Sequence, residues 1–376
     1  MPAPASIDIF CRVVDNYGDI GVCWRLARQL AARLATSTIR LWVDDLASFA
    51  RIARGISTDA PLQTVGRIRV VKWDDVTSRD PGLLQPAAMV IEAFACSPPE
   101  AYVARMSDRQ LWLNLEYLSA EDWVESCHGL PSIQPNGLRK FFFFPGFTPR
   151  TGGLLREGDL LARRDRWQAD PHARPDLLSR LGVEAAWLDR LQAGARLVYV
   201  FCYPQAPLEA LLRTLASTRQ ETLVLMAQGV GPNTPPLPAG GRLALRRHEF
   251  VDQDTFDQLL WSADLNLVRG EDSLLRAIWA ARPMIWQPYR QEDALHLQKL
   301  DAWLARSPYS PEIRRVMQAW NGGSEAEFES ALAPLLAPAA FAQWQHSARA
   351  GCDTLAREDD LVTRLLAFHA KQHQTR

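Results

Sequence analysis

Asp15 and Asp19 stand four residues apart in the segment Asp15-Asn16-Tyr17-Gly18-Asp19-Ile20-Gly21, directly after the apolar run 7–14. A strand followed by a polar, glycine-containing loop and then an amphipathic segment places both carboxylates at the carboxyl end of a strand, where open α/β sheets bind ligands. Asp15 suits a plain turn as well as a reactive centre. Asp19 lies between two glycines at the strand-to-helix junction, where a carboxylate can act as a general base or hold a cationic substrate. A helix beginning near Ile20 would favour its ionised form.

A second constellation, Arg269-Gly270-Glu271-Asp272-Ser273, follows the run 264–268 and opens another helical pattern. Asp272 or Ser273 is expected to cap that helix. Free amides at a helix start suit a phosphate, whereas Glu271 would repel one. A ligand with both kinds of group resolves the conflict: phosphate near Ser273 and the amides, sugar hydroxyls near Glu271 or Asp272. A nucleotide-sugar is such a ligand. Phe201 and Tyr203 end a third strand run, and Phe250 and Gln253 follow a fourth. A ring at a sheet edge can stack on a base, although Phe201 also fits simple core packing. Gln253 has the donors and acceptor for a pyrimidine edge, and Asp252 is an equally good cap for the next helix. The stretch 286–293 follows a further strand and could line the same pocket.

Other chemistries find no motif. Gly18-Asp19-Ile20-Gly21 is neither a dinucleotide fingerprint nor a phosphate-binding P-loop. The seven histidines form no metal-ligand spacing, and the six cysteines contain no CxxC pair. His248 and His296 are read as structural. The formal net charge of -1 gives no global basic field for nucleic acid.

These candidates require sheets to position them. Strand runs at 7–14, 38–43, 67–72, 88–93, 110–115 and 140–144 alternate with helical patterns such as 22–35 and 99–106. After a region rich in Gly, Arg, Pro and Asp, the alternation restarts at 196–201, 222–227, 243–246, 264–268 and 283–287, with helices at 208–216, 253–261, 274–280 and 292–305. Such alternation predicts parallel sheets covered by helices. A chain of 376 residues is comfortable as two domains. The expected division is 1–170, 171–345, and a helical tail 346–376 able to cross back onto the first domain. No leader-like segment or membrane-length apolar run is evident, so a cytoplasmic location is expected.

Residues 15–30 and 264–273, with Trp286-Gln287-Pro288-Tyr289, Asn114-Leu115-Glu116-Tyr117-Leu118 and Phe143-Phe144-Pro145-Gly146-Phe147-Thr148, resemble the EarP family. These are the protein-arginine rhamnosyltransferases that modify bacterial elongation factor P, and the resemblance spans nearly the whole chain. It implies an α/β protein of GT-B glycosyltransferase fold, two Rossmann-like domains facing across a cleft. It implies inverting transfer of L-rhamnose from dTDP-β-L-rhamnose to an arginine of elongation factor P, which activates that factor for ribosomes stalled at polyproline. No metal or other cofactor is implied, and neither nucleic acid nor membrane is a partner. By the resemblance, Asp19 is the base or arginine-orienting carboxylate, supported by Asp15, with Glu271 also at the reacting centre. Tyr203 and Phe250, with Phe201, would hold the thymine, and Gln253 would read its edge. Glu271, Asp272 and Ser273 would hold the sugar and diphosphate, and Tyr17 and Gly18 also fall among the donor-binding positions. Two other readings fit the residues: a GT-B enzyme with another nucleotide-sugar and a small-molecule acceptor, or a non-catalytic nucleotide-sugar-binding protein.

Overall fold

The computed structural model describes residues 3–14, 17–232 and 241–374. The chain forms two compact units: Met1–Gly158 with Glu358–Arg376, and Asp159–Arg357. The sequence boundary at 170 falls inside the helix-rich start of the second unit, where Leu160–Ala169, Ala173–Arg180 and Ala185–Gln192 are helical.

The first unit is built on β1 (Ser6–Cys11), β2 (Thr38–Val43), β3 (Leu62–Val65), β4 (Ile68–Lys72), β5 (Met89–Ala93), β6 (Leu111–Leu115), β7 (Pro131–Ile133) and β8 (Arg139–Phe143). They form one sheet in the order β3-β4-β2-β1-β5-β6-β8-β7. It is parallel except for the outermost pairs, β3 with β4 and β7 with β8. The central strands are buried on both faces, as a parallel sheet requires, so they read as apolar runs rather than alternations. The chain leaves β1 toward β2 and later returns to β1's other side at β5, which makes the β1/β5 carboxyl edge a switch point.

Helix Gly18–Arg33 buries Ile20, Cys23, Leu26, Ala27 and Leu30. It also buries Gln29, whose amide donates to Arg156 O at 2.6 Å and Asp360 Oδ1 at 2.8 Å. Asp360 opens the terminal helix Leu361–Gln374 by accepting the Val362 and Thr363 amides at 3.0 and 3.1 Å. Arg364 donates to the carbonyls of Thr148 and Thr151 at 2.7 and 2.9 Å, and Phe368 packs against Phe141 and Phe143. Gly153 makes this return possible: at φ +75° it would bring a Cβ to 2.7 Å from Asp359 O.

The second unit carries β9 (Arg196–Val200), β10 (Thr222–Ala227), β11 (Leu243–His248), β12 (Leu265–Arg269) and β13 (Met284–Gln287), all parallel, in the order β11-β10-β9-β12-β13. Its switch point is β9/β12, where Phe201 N–H donates to Leu267 O at 2.7 Å.

Several boundaries differ from the sequence expectation. β1 ends at Cys11 and the following helix starts at Gly18, before Ile20. The expected helix at 99–106 is only Glu100–Val103. That expected at 292–305 is a short 3-10 turn, Glu292–Ala294, followed by Leu295–Arg306. Strands β3 and β7 went unread, because short edge strands with exposed positions carry no strong hydrophobic period.

Candidate active site

Asp19 occupies the first turn of its helix and is 2% exposed. A buried carboxylate must be hydrogen-bonded. Oδ2 accepts the Val14 N–H at 2.8 Å, and Oδ1 accepts the Tyr117 hydroxyl at 3.3 Å. Asp15 lies outside the described residues. Tyr17 is the N-cap residue, its ring 5.6 Å from the Arg51 guanidinium, and Gly18 opens the helix.

The sequence reading gave no role to the residues that place Tyr117. Its ring stacks on Phe94 at 4.2 Å and 14°. Phe94, Ala95 and Ser97 all adopt positive φ, between 52° and 56°. Left-handed backbone at non-glycine residues costs roughly 1–3 kcal/mol each and persists only where its surroundings hold it. Here the Phe94 N–H donates to Leu115 O at 2.8 Å and the Ala95 N–H to Asn114 Oδ1 at 2.9 Å. The Asn114 amide in turn donates to Glu116. Burial raises the Glu116 carboxyl above its usual range, Glu92 adds to this, and Lys140 opposes it. Glu92 is itself buried and accepts Lys140 Nζ at 2.9 Å and Trp112 Nε1 at 3.1 Å. Asn114, Glu116 and Tyr117 all sit in the motif 114–118, so the signal was present in the sequence without a role attached.

In the second unit, Arg269 Cζ lies 4.8 Å from the Phe201 ring centroid and 4.7 Å from that of Tyr203. Its Nη1 donates to Cys202 O at 3.2 Å. Burial pushes the Cys202 thiol up to about 12, with Arg269 and Arg247 opposing, which marks it as an inert small hydrophobe. Phe201 is buried against Phe256 at 5.1 Å, with Phe250 6.4 Å away. Phe201 thus joins the core of the second unit while the Arg269 guanidinium lies over its ring. The Tyr203 N–H donates to Gln287 Oε1 at 2.8 Å, and its ring meets exposed Tyr289 edge-on at 5.7 Å. Gln253 begins helix Gln253–Ser262, and Asp252 caps it by accepting the Thr255 N–H at 2.8 Å.

Helix Gly270–Ala280 starts earlier than the expected cap. Arg269 is its N-cap residue and no side chain caps it, so neither Asp272 nor Ser273 has that role. Gly270 turns at φ +67° directly from strand to helix, leaving Glu271, Asp272 and Ser273 inside the first turn. Glu271 is balanced by Lys299, with Nζ 3.6 Å from its carboxylate. Trp286 Nε1 donates to Gly270 O at 2.8 Å, and the buried Arg276–Asp257 pair ties the helix to its neighbour at 2.9 Å. Removing one member of such a buried pair typically costs about 3–5 kcal/mol. The helix is therefore firmly seated, with its amides and the Arg269 cation gathered at one strand end.

His248 stacks on Tyr199 within the second unit, and burial lowers its imidazole. Among the described residues no group of three or more His, Cys, Asp or Glu side chains could hold a metal, and no helix is long and apolar enough to cross a membrane.

Two parallel switch-point sheets of this kind define the GT-B class of glycosyltransferases. The solved structure of Arabidopsis thaliana UGT89C1 complexed with UDP-L-rhamnose shares the fold at TM-score 0.54 and 11% identity, covering 99% of this chain and 100% of that one. The family described as Elongation-Factor P (EF-P) rhamnosyltransferase EarP matches residues 7–370, and the chain belongs to that family. A Pseudomonas putida protein named protein-arginine rhamnosyltransferase is 45% identical over 388 residues, covering 97% of this chain and 98% of its own. A structure solved to explain EarP-mediated arginine glycosylation of translation elongation factor EF-P matches with TM-score 0.65 and 32% identity, over 98% of this chain and 99% of the other.

Proposed function

We propose that the protein transfers L-rhamnose from dTDP-β-L-rhamnose to one arginine side chain of bacterial elongation factor P, with inversion at the anomeric carbon, in the cytoplasm. The full-length relationship to protein-arginine rhamnosyltransferases carries this reading.

The chemistry explains why a buried carboxylate would be needed. A guanidinium is delocalised and stays protonated at neutral pH, so it is a weak nucleophile. A carboxylate can grip it through paired N–H bonds and point one nitrogen at the sugar. Asp19 would take the proton as the carbon–nitrogen bond forms, when the attacking nitrogen becomes acidic. Tyr117 and the Val14 amide would keep that carboxylate aimed, and Asp15 would share the guanidinium. Tyr203, Phe250 and Gln253 would hold the thymine. The Arg269 guanidinium and the amides beside Ser273 would take up charge on the departing diphosphate, which such groups can do without reorganising. Glu271 and Asp272 would accept the sugar hydroxyls.

Intact-protein mass spectrometry of purified elongation factor P, incubated with this protein and dTDP-β-L-rhamnose, tests the reading. The expected result is one added deoxyhexosyl mass localised to a single arginine. An unmodified acceptor in the presence of a donor-binding enzyme would refute it.

A further inference from the structure

The second unit carries another set of charged side chains at the end of its sheet opposite the donor loops. There a pocket of about 240 Å³ is lined by Trp167, Arg174, Leu178, Leu191, Trp261 and Arg282 among others. Arg282 immediately precedes the Pro283–Met284 entry into β13, and Asp264 precedes β12. That volume suits a fragment-sized ligand rather than a whole nucleotide-sugar.

Two guanidinium groups there are incompletely paired. Asp264 Oδ2 already accepts Arg174 Nη2 at 2.9 Å and the Leu197 N–H at 2.7 Å. The Nε atoms of Arg174 and Arg282 are both buried and meet no hydrogen-bond partner among the described residues. Burial lowers the Arg282 guanidinium from its usual value; Asp264 opposes this, while Arg174, Arg349 and Arg164 add to it. Arg164 and Arg349 share Asp165 at 2.8 and 3.3 Å. Asp170, at the exposed rim, accepts the His172 N–H at 2.9 Å. Polar groups buried without a partner are uncommon and call for an explanation, and a guanidinium fork matches an oxyanion in shape and charge.

We propose that this pocket binds a small organic anion, its oxyanion held by Arg282 and Arg174 and its apolar body lying against Trp167, Trp261, Leu178 and Leu191. The site is separate from the donor-binding loops, so its occupation does not compete with dTDP.

Titration calorimetry of the full chain with benzoate, phenyl phosphate and uncharged benzamide tests this, with dTDP as an independent probe of the folded second unit. The expected result is that one or both anions bind at millimolar concentration or tighter while benzamide does not. The anion that binds more tightly identifies the preferred oxyanion as carboxylate or phosphate. Arg282→Gln and Arg174→Gln should each weaken that binding about tenfold or more, as expected for loss of a charge-assisted hydrogen bond, with dTDP affinity unchanged. If Arg282→Gln loses dTDP binding through misfolding, Arg174→Gln decides the matter alone. Failure of both anions to bind, equal binding of benzamide, indifference to the decisive substitution, or displacement by dTDP would overturn the proposal.

Discussion

At the carboxyl edge of β1, a buried carboxylate is held between a backbone amide and a tyrosine hydroxyl. At the carboxyl edge of β12, a guanidinium lies over two aromatic rings beside a helix start. Both edges are strand, turn and helix at a switch point, and both keep the helix start clear of a side-chain cap. They differ in sign and in where irregular backbone is kept. The first edge places left-handed residues under Tyr117, in the loop after β5. The second turns left-handed at Gly270, where it costs little, and again at Asp293 and Ala294 in the loop after β13. Sheet architecture alone therefore specifies no ligand; a few side chains give one edge a buried carboxylate and the other a guanidinium over aromatic rings.

Four measurements test this contrast. Asp19→Asn should lower turnover by about 10²–10⁴-fold while leaving dTDP affinity unchanged, read by a rhamnosylation assay beside calorimetry. Equal turnover would remove the carboxylate from the reaction. Arg269→Met should leave the fold intact and weaken dTDP binding by about 10–100-fold, the usual range for a lost charge-assisted contact; undiminished affinity would mean the cation only packs on Phe201 and Tyr203.

Tyr117→Phe removes one hydrogen bond to Asp19 and keeps the stacked ring, so kcat should fall about tenfold with KM for the donor steady. A change in donor KM instead would show that the two edges are not separable in this way. The smallest effect concerns the fold of the first unit. His128 accepts the Phe144 N–H through Nδ1 at 3.1 Å, which requires a neutral ring. Burial, with Arg364 adding, lowers its pKa to about 4 from an ordinary 6.5. Between those values the unfolded chain binds the proton and the folded one does not, so stability should fall as pH drops from about 6.5 toward 4. Denaturant titrations of His128→Gln should show a shallower slope across that window; an identical slope would exclude His128 as the cause.

Much of this architecture was legible along the chain. The runs at 38–43, 196–200 and 222–227 are apolar because a covered parallel strand is buried on both faces. Asp19, Tyr203 and Glu271 stood out because polar or aromatic groups at strand ends break those runs. The cap expected of either Asp272 or Ser273 is absent because capping residues look alike in sequence whether they precede a helix or lie in its first turn. No local pattern tells that the Arg269 guanidinium will reach the rings of Phe201 and Tyr203, far earlier in the chain.

Local pattern marks where most strands and their following loops lie, and the motifs at 15–30 and 264–273 carry the family resemblance, because both depend on residues adjacent in sequence. Tertiary structure alone decided which distant groups meet. It set Tyr117 against Asp19 across 98 positions, tied Gln29 to Asp360 across 331, and drew Arg174 and Asp264 together across 90. Such pairings follow from strand order and from burial that forces each polar group to find a partner, and neither quantity is carried by any one stretch of residues.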